Sequence, residues 1–113
     1  MKIEQIILQI NTDKKFKNEF MKSFLDKNSG RNKIAKKFNL GPEKVRLAQY
    51  YLRGKEGIGL SEKMQEVYNN FIKIQDGMKS NQICKELGKD YSTIRACYWY
   101  YVGQSMNYSK LYE

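Results

Sequence analysis

The sequence predicts an all-α fold: two repeated trihelical units joined by a short glycine-containing linker, residues 1–54 forming the first unit and 55–113 the second. Three observations lead there. Asn32 to Gly54 aligns on Asn81 to Gly103 without a gap, and Asn32, Ile34, Lys36, Arg46, Tyr51 and Gly54 recur as Asn81, Ile83, Lys85, Arg95, Tyr100 and Gly103. An internal repeat of this kind fixes the unit from which an architecture is built. Apolar residues recur at three- and four-residue spacing through most of the chain. Finally, 41% apolar content suits a folded chain of 113 residues, yet a unit of about 50 residues is near the lower limit for a self-sufficient core. Two small units leaning on each other are therefore expected, rather than one large core.

Each element follows in order. Ile3, Ile6, Ile7 and Ile10 sit at helical spacing over residues 2–10, although the same β-branched residues could form a short strand. Asn11 or Thr12 can cap a helix over 13–27 whose buried stripe is Phe16, Phe20, Met21, Phe24 and Leu25, stopped by Asn28-Ser29-Gly30. Helices over 31–38 and 42–53 complete the first unit. The segment Gly54-Lys55-Glu56-Gly57-Ile58-Gly59 reads as a linker, because its three glycines disfavour a helix. The second unit has helices over 61–75, 80–87 and 91–103 and ends in a short tail. Val67, Tyr68, Phe71 and Ile72 answer the earlier stripe Phe20, Met21, Phe24 and Leu25. Two extra residues near Gly77-Met78-Lys79-Ser80 fall in a loop, where insertions are tolerated.

The turns inside the repeats carry a specific pattern. In Ile83-Cys84-Lys85-Glu86-Leu87-Gly88-Lys89-Asp90, Cys84 is the small residue that the next helix crosses. Gly88 can take the positive φ of a sharp turn, and Asp90 can accept from the orphan N–H groups of the following helix. The first copy, Ile34-Ala35-Lys36-Lys37-Phe38-Asn39-Leu40-Gly41-Pro42, meets the same demands with Ala35, Asn39 and a Pro42 suited to the first helical position. This pattern resembles the helix-turn-helix family of DNA-binding modules, and the two copies together resemble the paired, transposase-type tandem arrangement. The resemblance spans about residues 13 to 104. It departs from the family at Lys89, where the family buries an aliphatic residue and where the first copy has Leu40.

Charge separates the two copies. Residues 1–54 hold 13 Lys and Arg against 5 Asp and Glu, a net +8, while residues 55–113 hold 8 against 7, a net +1. A basic surface of this size suits a phosphate backbone, so the first unit is expected to anchor on double-stranded DNA. A lysine-rich solvated surface is the plainer explanation, but it does not account for the asymmetry.

Helical geometry then selects side chains. Val45, Ala48 and Leu52 point inward, leaving Pro42, Glu43, Arg46, Leu47 and Tyr50 outward; Ile94, Cys97 and Tyr101 point inward, leaving Tyr91, Ser92, Arg95, Ala96 and Trp99 outward. The resemblance implies base contacts from Arg46, Glu43, Pro42, Tyr50, Arg95, Ser92 and Tyr91. It implies phosphate contacts from Arg31, Lys33, Lys36, Lys37, Lys44, Arg53, Lys55 and Thr93. Arg46 and Arg95, the identical pair, suit guanine, or a phosphate, or a neighbouring acid. The run Tyr98-Trp99-Tyr100-Tyr101 suits stacking on bases or, more plainly, packing between units, with Tyr98 and Tyr101 following the inward spacing.

Other classes find little support. The chain has no His and no phosphate-cradling glycine motif, and its 12 acids are scattered, so neither catalysis, a metal site nor a cofactor is expected. Cys84 and Cys97 align with Ala35 and Ala48 and read as reduced core thiols. No apolar run reaches membrane length and no leader is visible, so the chain is expected to be cytoplasmic. The implied function is a small sequence-specific regulator of phage or mobile-element type. The alternatives are the DNA-addressing module of a larger transposase, recombinase or homing nuclease, or a protein-interaction module that kept the fold. A homodimer, and a catalytic domain or protein partner in trans, are compatible with each.

Overall fold

Local sequence sets where each helix begins and ends. In the computed structural model, which describes residues 1–25 and 30–111, the chain forms seven helices: α1 (Ile3–Thr12), α2 (Lys14–Leu25), α3 (Arg31–Phe38), α4 (Pro42–Glu56), α5 (Glu62–Ile74), α6 (Ser80–Leu87) and α7 (Tyr91–Leu111). There is no strand among the described residues. The isoleucines of residues 2–10 resolve as helix, with Ile3, Ile6 and Ile10 buried along one side. The cap of α2, expected at Asn11 or Thr12, falls on Asp13. α1 runs through Thr12, whose hydroxyl donates to the Leu8 carbonyl at 2.9 Å, and the Asp13 carboxylate accepts from the Lys15 and Phe16 amides at 3.0 and 3.2 Å. The expected stop at Asn28-Ser29 lies outside the described residues, as does the side chain of Leu25.

The two short turns close identically. Asn39 takes φ 52° and Gly88 φ 63°. The next residue donates back into the preceding helix in each case, Leu40 N–H to the Ala35 carbonyl at 2.8 Å and Lys89 N–H to the Cys84 carbonyl at 3.2 Å. Such closure satisfies orphan carbonyls at a helix end. Leu40 is buried whereas Lys89 is exposed, so the turn survives the exchange of an aliphatic side chain for an ammonium. The Asp90 carboxylate accepts from the Thr93 amide at 3.3 Å, and hydrogen bonds from Thr93 hold that carboxyl below its ordinary range.

The expected linker is largely helix. α4 continues through Gly54 to Glu56 and ends at Gly57, in the left-handed conformation at φ 72°. α7 likewise passes through Gly103 to Leu111 instead of stopping there. The reason is the packing of these two helices. A Cβ on Gly54 would lie 2.8 Å from the Gln104 nitrogen and closer still to the Tyr100 carbonyl oxygen. One on Gly103 would lie 2.9 Å from the Lys55 nitrogen and closer still to the Tyr51 carbonyl oxygen. Only glycine permits backbones to touch in this way. The contacts are reciprocal: what Gly54 does to the second half, Gly103 does to the first. At the other end of the pair, Ser92 meets Glu43, so α4 and α7 run side by side in the same direction.

The buried apolar residues form one continuous cluster, not two cores. Leu47 and Ala96, expected to face outward, are fully buried, because the outward faces of α4 and α7 are turned on each other. Burying a leucine is worth about 1.5–3 kcal/mol, which favours the paired arrangement over separate units. Val45 and Ile94 are buried to the same degree. The inward line of α7 is Ile94, Cys97 and Tyr100, whereas Tyr98 and Tyr101 are exposed, contrary to their spacing against α5 and α6 alone. Ile72, expected within a buried stripe, is also exposed, and Met64 is buried in α5 instead. Tyr100 sits edge-on to Tyr68 at 4.8 Å between centroids, and Tyr51 edge-on to Trp99 at 6.4 Å. α1 runs along α4, with the Asn11 amide donating to the Tyr51 hydroxyl at 2.9 Å and Lys44 donating to the Met1 carbonyl at 2.7 Å.

Candidate nucleic-acid interface

Between the first turn of α3 and one stripe of α4 lies an open groove of about 560 Å³. α4 contributes Arg46, Gln49, Tyr50 and Arg53, spaced three and four residues apart and therefore on one face. α3 contributes Arg31, Asn32 and Lys33, and α2 closes the wall with Ser23 and Phe24. Among the described lining residues four are cations and none is an acid. Two arginines are held by the fold: the Arg53 guanidinium lies 4.9 Å from the Phe24 ring centroid and donates to the Gly59 carbonyl at 2.8 Å. Arg46 lies 5.3 Å from the Tyr50 ring centroid. The Gln49 amide donates to the Ser23 hydroxyl at 3.0 Å, which donates in turn to the Phe20 carbonyl. The groove thus has a fixed wall, with the more exposed Arg31 and Lys33 at its mouth.

Lys33 also borders a second, smaller depression of about 230 Å³, lined by Glu19, Lys22, Ile34 and Lys37. The one carboxylate among its described residues is already engaged. Glu19 accepts from Lys37 at 3.0 Å and from Lys22 at 3.4 Å, and the Lys37 hydrogen bond above all holds its carboxyl below the ordinary range. Glu19 set against Lys22, Lys33 and Lys37 leaves the depression cationic. The two concavities make a continuous positive strip across α2, α3 and α4.

Of the residues picked out for DNA, the groove gathers Arg31, Lys33, Arg46, Tyr50 and Arg53, mixing those assigned to bases with those assigned to phosphates. Lys36 is exposed on α3. Lys44 is bound to the Met1 carbonyl and the Lys55 ammonium to Asn11, both on the α1 side of α4 and away from the groove. The Thr93 amide serves the cap of α7. Pro42 and Tyr91 open the two parallel helices and are exposed, as is Glu43. Between these helix ends Arg46 donates to the Ser92 hydroxyl at 2.8 Å and the Ser92 carbonyl at 3.3 Å, while that hydroxyl donates to the Glu43 carboxylate at 2.6 Å. Arg46 and Glu43 are 3.6 Å apart. Parallel helices bring two positive dipole ends together, and a carboxylate there offsets the repulsion. Arg46, Ser92 and Glu43 are therefore committed to one another, and Arg95 lies 5.7 Å from the Tyr91 ring centroid.

Sequence reasoning missed Lys22, Phe24, Asn32 and Gln49. Gln49 was legible, since it lies one turn from Arg46 and Arg53 on the stripe that excludes Val45, Ala48 and Leu52. Lys22 and Phe24 were not, because their part depends on how α2 sits against α4. Compared with known proteins, the chain matches no protein family, no characterised sequence and no solved structure. No described helix is long and apolar enough to cross a membrane.

Proposed function

We propose that the protein binds double-stranded DNA as a small regulator, with the face formed by α2, α3 and α4 set against the phosphates. The observation that carries this reading is the cationic strip of Lys22, Arg31, Lys33, Lys37, Arg46 and Arg53, against which the described residues set two acids, Glu19 spent on two lysines and Glu43 on Arg46. Gathering like charges around a concavity is electrostatically costly unless a polyanion relieves it. The repeated turn geometry supports a helix-turn-helix origin for α3–α4 and α6–α7.

The pairing of α4 with α7 limits how such a face can read sequence. Independent modules place their helices in successive major grooves, about 34 Å apart, whereas these two touch along their backbones. A major groove about 12 Å wide admits one helix, so only one of the two ends enters deeply. α4 is the better placed, because it borders the cationic strip. Pro42 would then approach base edges, and Arg31, Lys33, Lys36 and Lys37 the flanking phosphates.

Anisotropy with a blunt random-sequence duplex, titrated with salt, tests the proposal. Binding should weaken with a log–log slope of about −0.9 per phosphate neutralised, and Lys33→Ala or Lys37→Ala should each flatten that slope by about one unit. Affinity that is absent, or insensitive to salt, overturns the DNA reading and leaves protein interaction in its place.

A further inference from the structure

The groove beside Tyr50 is the wrong shape for a duplex and the right one for something smaller. A double helix is roughly 20 Å across and can only lie over a concavity of this size; a single unpaired unit can enter it, as ligand sites commonly span about 300–1,000 Å³. The lining is also richer than an anion site needs. Cations alone would hold a phosphate, but here two aromatic rings, Tyr50 and Phe24, and two carboxamides, Asn32 and Gln49, stand among them. Rings and guanidinium planes are stacking surfaces for nucleobases, and amides address base edges.

We propose that this groove, between the first turn of α3 and the Arg46–Arg53 stripe of α4, is a binding site for one unpaired nucleotide. The base stacks on the Tyr50–Arg46 wall, and the phosphate meets Arg31, Lys33 and Arg53. The same chemistry could be offered by a free nucleotide or by an unpaired nucleotide of a DNA strand. Its identification as a nucleotide rests on the nucleic-acid reading above, while its existence as a site rests on the groove.

The second half of the chain sharpens the assignment. Forty-nine residues on, the lining positions Arg31, Asn32, Lys33, Arg46, Gln49, Tyr50 and Arg53 become Ser80, Asn81, Gln82, Arg95, Tyr98, Trp99 and Val102. The amide and one arginine persist while three of the four cations are gone. Buried positions beneath them, by contrast, stay apolar and buried: Val45 and Ile94, Ala48 and Cys97, Tyr51 and Tyr100. Solvated surface drift would not keep an aromatic at Tyr50 and Trp99 while removing three of four cations around one concavity.

Affinities measured on the full chain for a blunt duplex and for the same duplex with a one-nucleotide phosphorylated overhang test the site. Stacking of one base predicts a preference of about tenfold for the overhang. Tyr50→Ala should bring that ratio to one, Tyr50→Phe should keep it, and Lys36→Ala, outside the groove, should lower both affinities without changing it. A nucleoside monophosphate that abolishes the preference at concentrations where inorganic phosphate does not supports a free nucleotide as ligand. A monophosphate without effect, beside an intact preference, supports the strand end. A wild-type ratio of one with no monophosphate binding overturns the proposal, as does a preference that survives Tyr50→Ala or competition by inorganic phosphate equal to that by the nucleotide. Monophosphate binding without any duplex binding would overturn the function proposed above and leave the groove standing.

Discussion

Replacing Gly54 or Gly103 by alanine should test the whole arrangement, because the sign of the effect depends on whether α4 and α7 touch. In an exposed helix interior, Gly→Ala stabilises by about 0.8–1.0 kcal/mol through backbone entropy and helix propensity. Here the added methyl meets backbone on the partner helix. At Gly54 it would sit 2.8 Å from the Gln104 nitrogen, where ordinary contact begins at 3.4 Å, so the helices must part by about 0.6 Å or more, at an overpacking cost at the upper end of about 1–3 kcal/mol. No rotamer change can relieve a clash with main chain. The net loss should be about 2 kcal/mol, lowering the melting temperature by roughly 8 °C for a chain of this size. Thermal and urea unfolding followed by circular dichroism measure it. Gly59→Ala, with nothing within 4 Å of the added carbon, is the control and should be neutral or slightly stabilising. Both glycines serve one crossing, so Gly54→Ala with Gly103→Ala should cost less than the sum of the two, by at least about 0.5 kcal/mol. If either single variant proves as stable as the parent chain, the backbones are not in contact, and the argument for a single recognition surface falls with them.

Arg46→Ala should destabilise the chain as well as weaken DNA binding, by about 1.5–3 kcal/mol for a charged hydrogen-bonding partner, and much of that loss should disappear in a Ser92→Ala background; unfolding of the double-mutant set decides it. Burial pushes the Cys97 thiol up to about 11, so a thiol reagent in mildly alkaline buffer should label the half-buried Cys84 and reach Cys97 only on unfolding; equal rates would contradict the burial. Cys97→Ala should cost no more than about 1 kcal/mol, since Ala48 fills the matching position. The Asp90 carboxyl is depressed in the folded state by Thr93, so its contribution is present above the ordinary aspartate range and lost as pH falls through the folded value. The stability gap between the parent and Asp90→Ala should accordingly be open at neutral pH and close in acid; a gap independent of pH would show that the carboxylate does not cap α7.

The helices, the two turns and the Phe16 and Phe20 positions of the first stripe were legible because each depends on residues a few positions apart, whereas Met21 and Phe24 are only partly buried. Ala35 and Asn39 specify a turn as fully as Cys84 and Gly88 do, and the sequence states both. What it did not state is which outward face finds a partner. Leu47 and Ala96 look like surface residues when each helix is considered alone, and they become core only when α4 and α7 meet. The clue was present in Gly54 and Gly103. Identical glycines at matching positions of a repeat, each directly following a helical stripe, are as consistent with a close helix crossing as with a flexible linker. The site was legible in part for the same reason. Arg46, Tyr50 and Arg53 share a stripe of α4, but their meeting with Arg31, Lys33 and Phe24 is tertiary.

The reciprocal contact of Gly54 and Gly103 has a functional corollary. Two copies of one unit that pair through equivalent faces bury the same surface on each, so neither can keep that surface for a ligand. Whatever remains for binding must lie off the shared face, and there the copies are free to differ. They do: around α4 the half-buried stripe carries Arg46, Gln49, Tyr50 and Arg53, while around α7 its counterpart carries Arg95, Tyr98, Trp99 and Val102. Under the function proposed above, one half binds and the other supports it. The support is direct, for α7 covers Leu47 and its Ser92 holds Arg46 at the edge of the groove. A first unit cut free at residue 54 would lose both, and so should bind DNA more weakly even though it keeps almost all of the net positive charge.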